Sequence, residues 1–259
     1  MRNIWSLFKK ELISFFSSPI AYMLISVYLV LSGYFFYVSF TRFASFIMML
    51  ASNPEYAGEL AKYNVTDHVL RPLAYNIAIV VLLLIPMLTM RIYSEENKMG
   101  TMELLLTSPI TYTEIVAGKF LACVFVYSVM MAFTSVYLVI MSVYCEIESG
   151  PIFTAYLGLF LLGMAFLSVG NFTSTLTKNQ VVAAVLGFGL LLLFWVIGWS
   201  AANNESIFAG LLKGVSITDH FESFSKGVLE SKDVIYYISF AFVGLFLTRL
   251  SLESTKWRL

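Results

Sequence analysis

Long apolar runs separated by short polar segments dominate the pattern of the chain. Six of these runs come close to, or exceed, the ~20 residues that a helix needs to cross a bilayer. They lie at about residues 19–40, 73–90, 114–144, 152–176, 181–200 and 233–250. The pattern therefore predicts an all-α polytopic membrane protein, with residues 1–259 forming a single domain of six transmembrane helices.

Residues 2–17 follow a different pattern, in which polar and apolar positions recur at helical spacing. The two faces carry Trp5, Phe8, Leu12, Phe15 and Phe16 on one side and Asn3, Ser6, Lys10, Ser14 and Ser17 on the other. A short amphipathic helix with lysines beside its polar face suits the membrane interface. The alternative is that this helix is simply the cytosolic start of the first span.

Two mixed regions, 41–72 and 201–232, are predicted to form helical segments outside the membrane, and the second is either external or partly re-entrant. The first should extend the preceding helix, break at Pro54 and continue as a short surface helix. The second should contain a short helix from Asp219. Before that helix, one apolar face is formed by Ile207, Phe208, Leu211 and Leu212. In the short helix, Phe221, Phe224 and Val228 are expected on the inner side.

The stretch 91–119, which begins with the segment 91–113 between the second and third spans, holds the densest charge in the chain. It is expected to lie outside the membrane, because five of its charged residues cannot lie cheaply in hydrocarbon: Glu95, Glu96, Lys98, Glu103 and Glu114. Gly100 permits a backbone turn with positive φ, and Pro109 should end a second short helix. The spacing Thr111-Tyr-Thr-Glu114 predicts a capping box at the start of the third span.

A helix as short as the one expected from Thr101 is not stable alone in water. It therefore needs either a groove on a partner or the membrane surface. Amphipathicity alone does not distinguish a helix that docks in a groove of a partner from an interfacial helix that merely connects two spans.

Composition supports the membrane assignment and narrows the chemistry. The chain is 59% hydrophobic and 12% charged, against about 45–50% and about 25% in soluble domains. Its formal net charge of zero gives no general attraction to nucleic acid. The two cysteines and two histidines, Cys123, Cys145, His68 and His220, show no disulfide framework or metal-ligand spacing, and the histidines are expected at the surface. No catalytic residue is predicted.

Charges within the spans bear on how transport could be driven. The spans are expected to carry essentially no ionisable residues, which disfavours a secondary transporter or proton pump. The chain has no G-x-x-x-x-G-K-[ST] loop, so ATP would have to be hydrolysed by a partner. Arg91 and Lys119 are expected to mark the membrane boundary rather than a binding site.

Lysine and arginine counts give an orientation. With the N-terminus inside, the inner segments hold Arg2, Lys9, Lys10, Arg91, Lys98, Lys119, Lys178, Arg249, Lys256 and Arg258. The outer segments hold Arg42, Lys62, Arg71, Lys213, Lys226 and Lys232. This bias predicts that both termini and the charged segment are cytoplasmic.

The charged segment also carries a recognisable motif. It reads Arg91-x-x-x-Glu95-Glu96-x-x-x-Gly100-Thr101-x-Glu103-Leu104-Leu105-Leu106-Thr107-x-Pro109-Ile110, followed by Ile115-Val116-x-Gly118-Lys119. This resembles the signature of the type-2 ABC exporter permeases, in which the segment between spans 2 and 3 is a coupling helix that rests in a cleft of the ATPase. More narrowly, residues 219–228 and 252–257 resemble the permease of the gliding-motility ABC system and its relatives linked to auxiliary subunits.

The resemblance implies a multi-pass subunit of a bacterial cytoplasmic (inner) membrane, without enzymatic activity. Its expected partners are a dimer of ABC ATPase subunits that bind ATP and Mg²⁺, a second copy of itself or a related permease, and an auxiliary membrane or periplasmic subunit. The implied ATPase-coupling residues are Glu95, Glu96, Gly100, Thr101, Glu103, Leu104, Leu105, Thr107 and Pro109. The rival functions are a membrane anchor in a cell-envelope machine and a stand-alone channel or transporter.

Overall fold

The structure is a computed structural model of the 259-residue chain, and it describes residues 2–52, 63–102, 109–144, 148–202 and 213–256. Within these ranges the chain forms helices and no strands. The main helices are α1 (Arg2–Ser17), α2 (Pro19–Ser52), α3 (Arg71–Thr89), α4 (Arg91–Met99), α5 (Tyr112–Tyr144), α6 (Ser149–Thr175), α7 (Gln180–Ala202), α8 (Ile217–Ser225) and α9 (Ser231–Lys256). A π-helical turn, Thr66–Leu70, leads directly into α3.

Six helical segments of the described chain are long and apolar enough to cross a membrane. They are Pro19–Ser52, Thr66–Met99, Tyr112–Tyr144, Ser149–Thr175, Gln180–Gly198 and Ser231–Ser254. The predicted all-α fold with six membrane-spanning helices is therefore confirmed. The helical extension expected after the first span is also present, because α2 continues to Ser52, whereas Pro54 lies outside the described residues.

The helices α3 and α6 form the centre of the bundle. In each of them 67% of the most apolar 18-residue window is buried, against 22% in α2 and in α9. Helix α6 packs against α3, α7, α8 and α9, while α1 packs along α5. The outer helices leave apolar side chains on the surface, as is required of a surface that faces lipid.

Contacts between polar and charged side chains lie at the two ends of the bundle. Helix α3 begins beside α8, where Tyr75 meets Phe221 edge-on, and it ends beside α4. Its 19 residues separate these two regions, here named the α8 end and the α4 end, by about 27 Å. The helix α1 lies at the α4 end, together with the start of α5 and the last turns of α6 and α9.

Short helix α8 confirms part of the prediction for the second mixed region. Phe221 and Phe224 are fully buried, as expected. Val228 is 48% exposed, so the expectation that it faces inward is wrong. The helix ends at Ser225, and Gly227, with φ of 84°, turns the chain away. The apolar positions predicted at 207–212 lie outside the described residues.

Candidate functional site

The start of α4 is held by a hydroxyl group from α6. Ser174 Oγ accepts hydrogen bonds from the backbone amides of Tyr93, at 3.1 Å, and Ser94, at 3.2 Å. The same hydroxyl donates to the Met90 carbonyl at 3.0 Å. Amides in the first turn of a helix lack partners within that helix, so Ser174 supplies them from the bundle core and fixes where α4 begins.

Arg91 connects α4 to the junction of α1 and α2. Its guanidinium makes two hydrogen bonds to the Glu95 carboxylate, at 2.9 and 3.2 Å. A third nitrogen donates to Ser18 Oγ at 3.1 Å. Bidentate arginine–carboxylate contacts fix orientation as well as distance, so this pair holds the first turn of α4 against the residue that joins α1 to α2.

Lys119 is the centre of a buried ionic cluster. Its side chain is fully buried, and Nζ lies 2.9 Å from Glu11 Oε1 on α1 and 2.9 Å from Glu96 Oε2 on α4. It also donates to the Ile92 carbonyl at 2.8 Å and lies 5.1 Å from the centre of the Tyr93 ring. One side chain of α5 therefore joins α1, α4 and α5.

Lys10 completes this group, and Lys10, Glu11, Glu96 and Lys119 are here named the Lys119 cluster. Lys10 Nζ lies 2.8 Å from Glu96 Oε1 and 3.6 Å from Glu11 Oε1. Partial burial alone would lower the pKa of Lys10, but the hydrogen bond and charge of Glu96, with the charge of Glu11, outweigh it and raise that pKa. Two cations face two carboxylates, so the cluster is balanced in charge.

A close helix contact brings α1 to the cluster. A Cβ atom at Gly118 would lie 2.8 Å from Leu7 Cβ and 3.2 Å from the Ile4 carbonyl oxygen, so only glycine allows α1 to approach α5 this closely. One turn away, Asn3 Nδ2 donates to Glu114 Oε1 at 3.3 Å.

The predicted capping box at the start of α5 is present. The Thr111 amide donates to Glu114 Oε2 at 3.0 Å, and the Glu114 amide donates to Thr111 Oγ1 at 3.3 Å. These reciprocal bonds satisfy two amides at the helix start. Because Glu114 also bonds to Asn3, the cap contributes to the attachment of α1.

The structure brings together only some of the residues named from sequence. Glu95 and Glu96 take part in the contacts described above. Gly100 ends α4 in the left-handed region, with φ of 72°, as its position predicted. Thr101 is exposed, and Pro109 lies in a bend. Four of the named residues, Glu103, Leu104, Leu105 and Thr107, lie outside the described residues.

A known family matches most of this chain. A family model described as "ABC-2 family transporter protein" matches residues 5–245, nearly the whole chain. The chain belongs to the ABC-2 transporter family. A search of curated proteins gave no match. Members of this family are membrane components of ABC transporters, are generally not catalytic themselves, and normally work with an ABC ATPase.

Sequence reasoning missed several residues that hold α4 in this ABC-2 protein. The expectation that the spans carry essentially no ionisable residue overlooked Lys119. Its expected position at the membrane boundary stays a prediction, but the structure shows that it lies inside the bundle and pairs with Glu11 and Glu96. A lysine within an apolar run is itself a signal of function. Ser174 gave no signal, because it is one of several serines and threonines close together at the end of α6.

The α8 end of the ABC-2 protein carries a second polar group. His220 Nδ1 lies 2.6 Å from Asp233 Oδ1, and the imidazole stacks on Tyr236 at 3.9 Å between ring centres. The His220 side chain is only 15% exposed, so the expectation that this histidine is a surface residue is wrong. Within the described part of the chain, no three His, Cys, Asp or Glu side chains are arranged to hold a metal.

Glu222 ties α8 to the start of α3. It lies 2.7 Å from Lys226 Nζ and 3.1 Å from Arg71 Nη2. The hydrogen bond from Lys226 is the main cause that lowers the pKa of Glu222, and burial opposes it, while the charges of Lys226 and Arg71 add to the lowering. These contacts stabilise the α8 end and form no reactive arrangement.

Proposed function

We propose that the chain is the permease subunit of an ATP-driven exporter of a bacterial cytoplasmic membrane, and that a separate ATPase docks on the segment 91–113. ATP and Mg²⁺ bind to that ATPase, and this chain contributes no catalytic residue. The residues proposed for the contact and its motion are Glu95, Glu96, Gly100, Thr101, Glu103, Leu104, Leu105, Thr107 and Pro109.

The attachment of α4 is the observation that carries this proposal. Glu96 on α4 pairs with Lys119 of α5 and Lys10 of α1, and Ser174 of α6 holds the first turn. Removing one partner of a buried ion pair costs about 3–5 kcal/mol. A displacement of α4 that keeps these contacts must therefore move α1, α5 and α6 with it, which is what coupling to an ATPase requires.

The proposed assembly contains two permeases and two ATPases. Closure of the ATPases on ATP displaces the segment 91–113, and the spans then change which side of the membrane they open to. The excess of lysine and arginine in the inner segments supports placing both termini, and the segment, in the cytoplasm.

A decisive experiment uses the double variant Gly100→Val/Glu103→Lys. It places a β-branched residue where φ is 72° and reverses a charge of the proposed contact. In liposomes that contain the permease with its copurified ATPase, we expect loss of transport-linked ATPase activity and retention of a folded membrane dimer. Normal coupling in this variant would overturn the proposal.

The matched control is Glu148→Lys/Gly150→Val, which makes the same chemical changes at the start of α6. Among the described residues, a Cβ atom added at Gly150 would meet no atom within 4 Å beyond its chain neighbours and its own helix backbone, and the φ of Gly150 is not positive. This control should retain normal ATPase coupling. Loss of coupling in both double variants would show that the effect does not depend on the segment 91–113.

A second candidate is a membrane anchor in a cell-envelope machine such as that of gliding motility. The resemblance of residues 219–228 and 252–257 to gliding-motility permeases favours it, and an auxiliary membrane or periplasmic subunit would then join the assembly. Both candidates share the docked ATPase. Stimulation of the ATPase by a transported substrate in liposomes supports the exporter, and its absence across candidate lipids and peptides supports the anchor.

A further inference from the structure

An apolar groove runs between α5 and α9 at the α4 end. Its volume is about 220 Å³, larger than an engineered apolar cavity of ~150 Å³ that binds benzene. It is lined by Thr113, Val116, Ala117, Phe242, Leu245, Phe246 and Arg249. The groove lies between two membrane-spanning helices and is partly open, so an apolar molecule could enter it from the bilayer.

The polar side chains of the groove lie at one end. Thr113 is in the first turn of α5, and Arg249 follows Phe242 by two turns of α9, or about 10 Å along the helix. The Phe242 and Phe246 rings stack, with 6.5 Å between their centres. The groove is therefore polar where the bundle reaches the α4 end and apolar deeper along the spans.

Arg249 contributes a positive charge at this site. Its side chain is exposed, and none of the ion pairs among the described residues involves it. An anionic group at the membrane boundary would complement this charge.

We propose that this groove binds one anionic phospholipid from the leaflet at the α4 end. The lipid phosphate contacts Arg249, and one acyl chain lies along Phe242 and Phe246. Basic pockets between transmembrane helices are known to hold anionic headgroups. A zwitterionic lipid has a phosphate too, but its ammonium group offsets the charge that Arg249 would otherwise attract.

The proposed lipid site is close to the helices that the Lys119 cluster joins, and it does not depend on the proposed function. Helix α5 carries both the groove residues and Lys119. A lipid wedged between α5 and α9 would brace the helix that anchors α1 and α4. Binding can be measured on the permease alone, so this proposal and the exporter assignment fail separately.

Native mass spectrometry of the purified full chain, titrated with phosphatidylglycerol or phosphatidylcholine of identical acyl chains, tests the proposal. We expect wild type to prefer phosphatidylglycerol. Arg249→Gln should weaken phosphatidylglycerol binding about five-fold, since a basic residue near a membrane surface contributes about 1 kcal/mol. Arg249→Lys should retain most of the binding, and Leu245→Trp should reduce binding of both lipids by filling the groove.

The matched control is Lys178→Gln, which removes another exposed cation, on the turn between α6 and α7 at the same end of the bundle. It should bind phosphatidylglycerol like wild type. Equal losses in Lys178→Gln and Arg249→Gln would indicate diffuse surface charge and overturn the proposal. Unchanged binding in both Arg249→Gln and Leu245→Trp would also overturn it, as would equal affinity of wild type for the two lipids.

Discussion

Lys119 and Glu11 form an ion pair of 2.9 Å although 108 residues separate them along the chain. The pair joins α5 to α1, and Glu96 extends it to α4 at the same distance. A fully buried lysine is stable as a cation only when carboxylates and carbonyls replace its hydration. The three helices must therefore keep their relative positions for the charge to remain satisfied.

The first prediction concerns the loss of this cation. Lys119→Met leaves Glu11 and Glu96 with only the more exposed Lys10 as a counter-ion. Removing one partner from a buried ion pair costs about 3–5 kcal/mol of folding stability. Because Lys10 remains as a counter-ion, we expect the loss in this variant to lie near the lower end of that range. Thermal unfolding in detergent, followed by circular dichroism, should show a clear drop in the transition temperature.

Two lysine variants provide the comparison. Lys178→Met alters an exposed lysine and should leave the transition temperature close to wild type. Lys10→Ala removes an ion pair whose lysine side chain is 56% exposed, and such pairs contribute about 0–1 kcal/mol. Equal destabilisation by all three substitutions would contradict the central role of Lys119.

The second prediction concerns Ser174, which bonds to the amides of Tyr93 and Ser94. Ser174→Ala removes their acceptor, and an unsatisfied buried group costs about 1–3 kcal/mol. Hydrogen exchange at the first turn of α4 should become faster. Ser142→Ala, which removes an exposed hydroxyl that donates to the Val139 carbonyl within its own turn, is the control. Unchanged exchange at Tyr93 and Ser94 would rule out the anchoring role of Ser174.

The third prediction is a pH dependence at the α8 end. A carboxylate whose pKa is lowered in the folded state stabilises the fold above its unfolded pKa, and this contribution disappears as the pH falls through the folded pKa. The pKa of Glu222 is lowered from its ordinary 4.5, chiefly by Lys226. Glu222→Gln should therefore be less stable than wild type at pH 7, and the difference should shrink as the pH falls below about 4.5.

Thermal unfolding of both proteins across this pH range gives the measurement. In a Lys226→Gln background, the Glu222→Gln substitution should lose most of its pH-dependent effect, because the main cause of the lowered pKa is absent. A stability difference that stays constant from pH 7 to the acid limit would contradict the contribution of Glu222.

The features that could be predicted from the sequence are those set by local chemistry or bilayer thickness. The length of each apolar run predicted the six spans, because a helix that crosses the bilayer must match the thickness of its hydrocarbon layer. The cap formed by Thr111 and Glu114 and the turn at Gly100 depend on residues at most a few positions apart. For these features the pattern and the structure agree.

The attachment of α4 could not be predicted in the same way. Glu11 lies beside Lys10 on a helix that looks solvated on its polar face, and nothing local links it to Lys119. That contact depends on how α1 packs on α5, which residue spacing and hydrophobic periodicity do not reveal. The misplacement of Val228 has a local cause instead: helical spacing was extended past Ser225, although Gly227 turns the chain.

The last prediction tests whether the packing of α1 on α5 positions the Lys119 cluster. A Cβ atom at Gly118 would overlap Leu7 and crowd the Ile4 carbonyl. Gly118→Val should therefore displace α1, lengthen the Lys119–Glu11 distance and lower the transition temperature. Trp5 lies on α1 and stacks on Phe8, whose ring meets Phe125 of α5 edge-on with 6.0 Å between ring centres. In a background where the other three tryptophans, Trp195, Trp199 and Trp257, are replaced by Phe, the Trp5 fluorescence therefore reports the displacement.

Gly189→Val is the matched control, because Gly189 also lies inside a membrane-spanning helix. In the described part of the chain, an added Cβ there would meet no atom within 4 Å beyond its chain neighbours and its own helix backbone. This control should leave the Trp5 signal and the transition temperature near wild type. Suppose that Gly118→Val changes the Trp5 signal while Lys119→Met lowers the transition temperature by the same amount in the Gly118→Val background as in wild type. That result would show that α1 does not position the cluster. If the two substitutions destabilise the protein less together than the sum of their separate effects, they act on one coupled contact, and the α1–α5 packing is what holds Glu11 against Lys119.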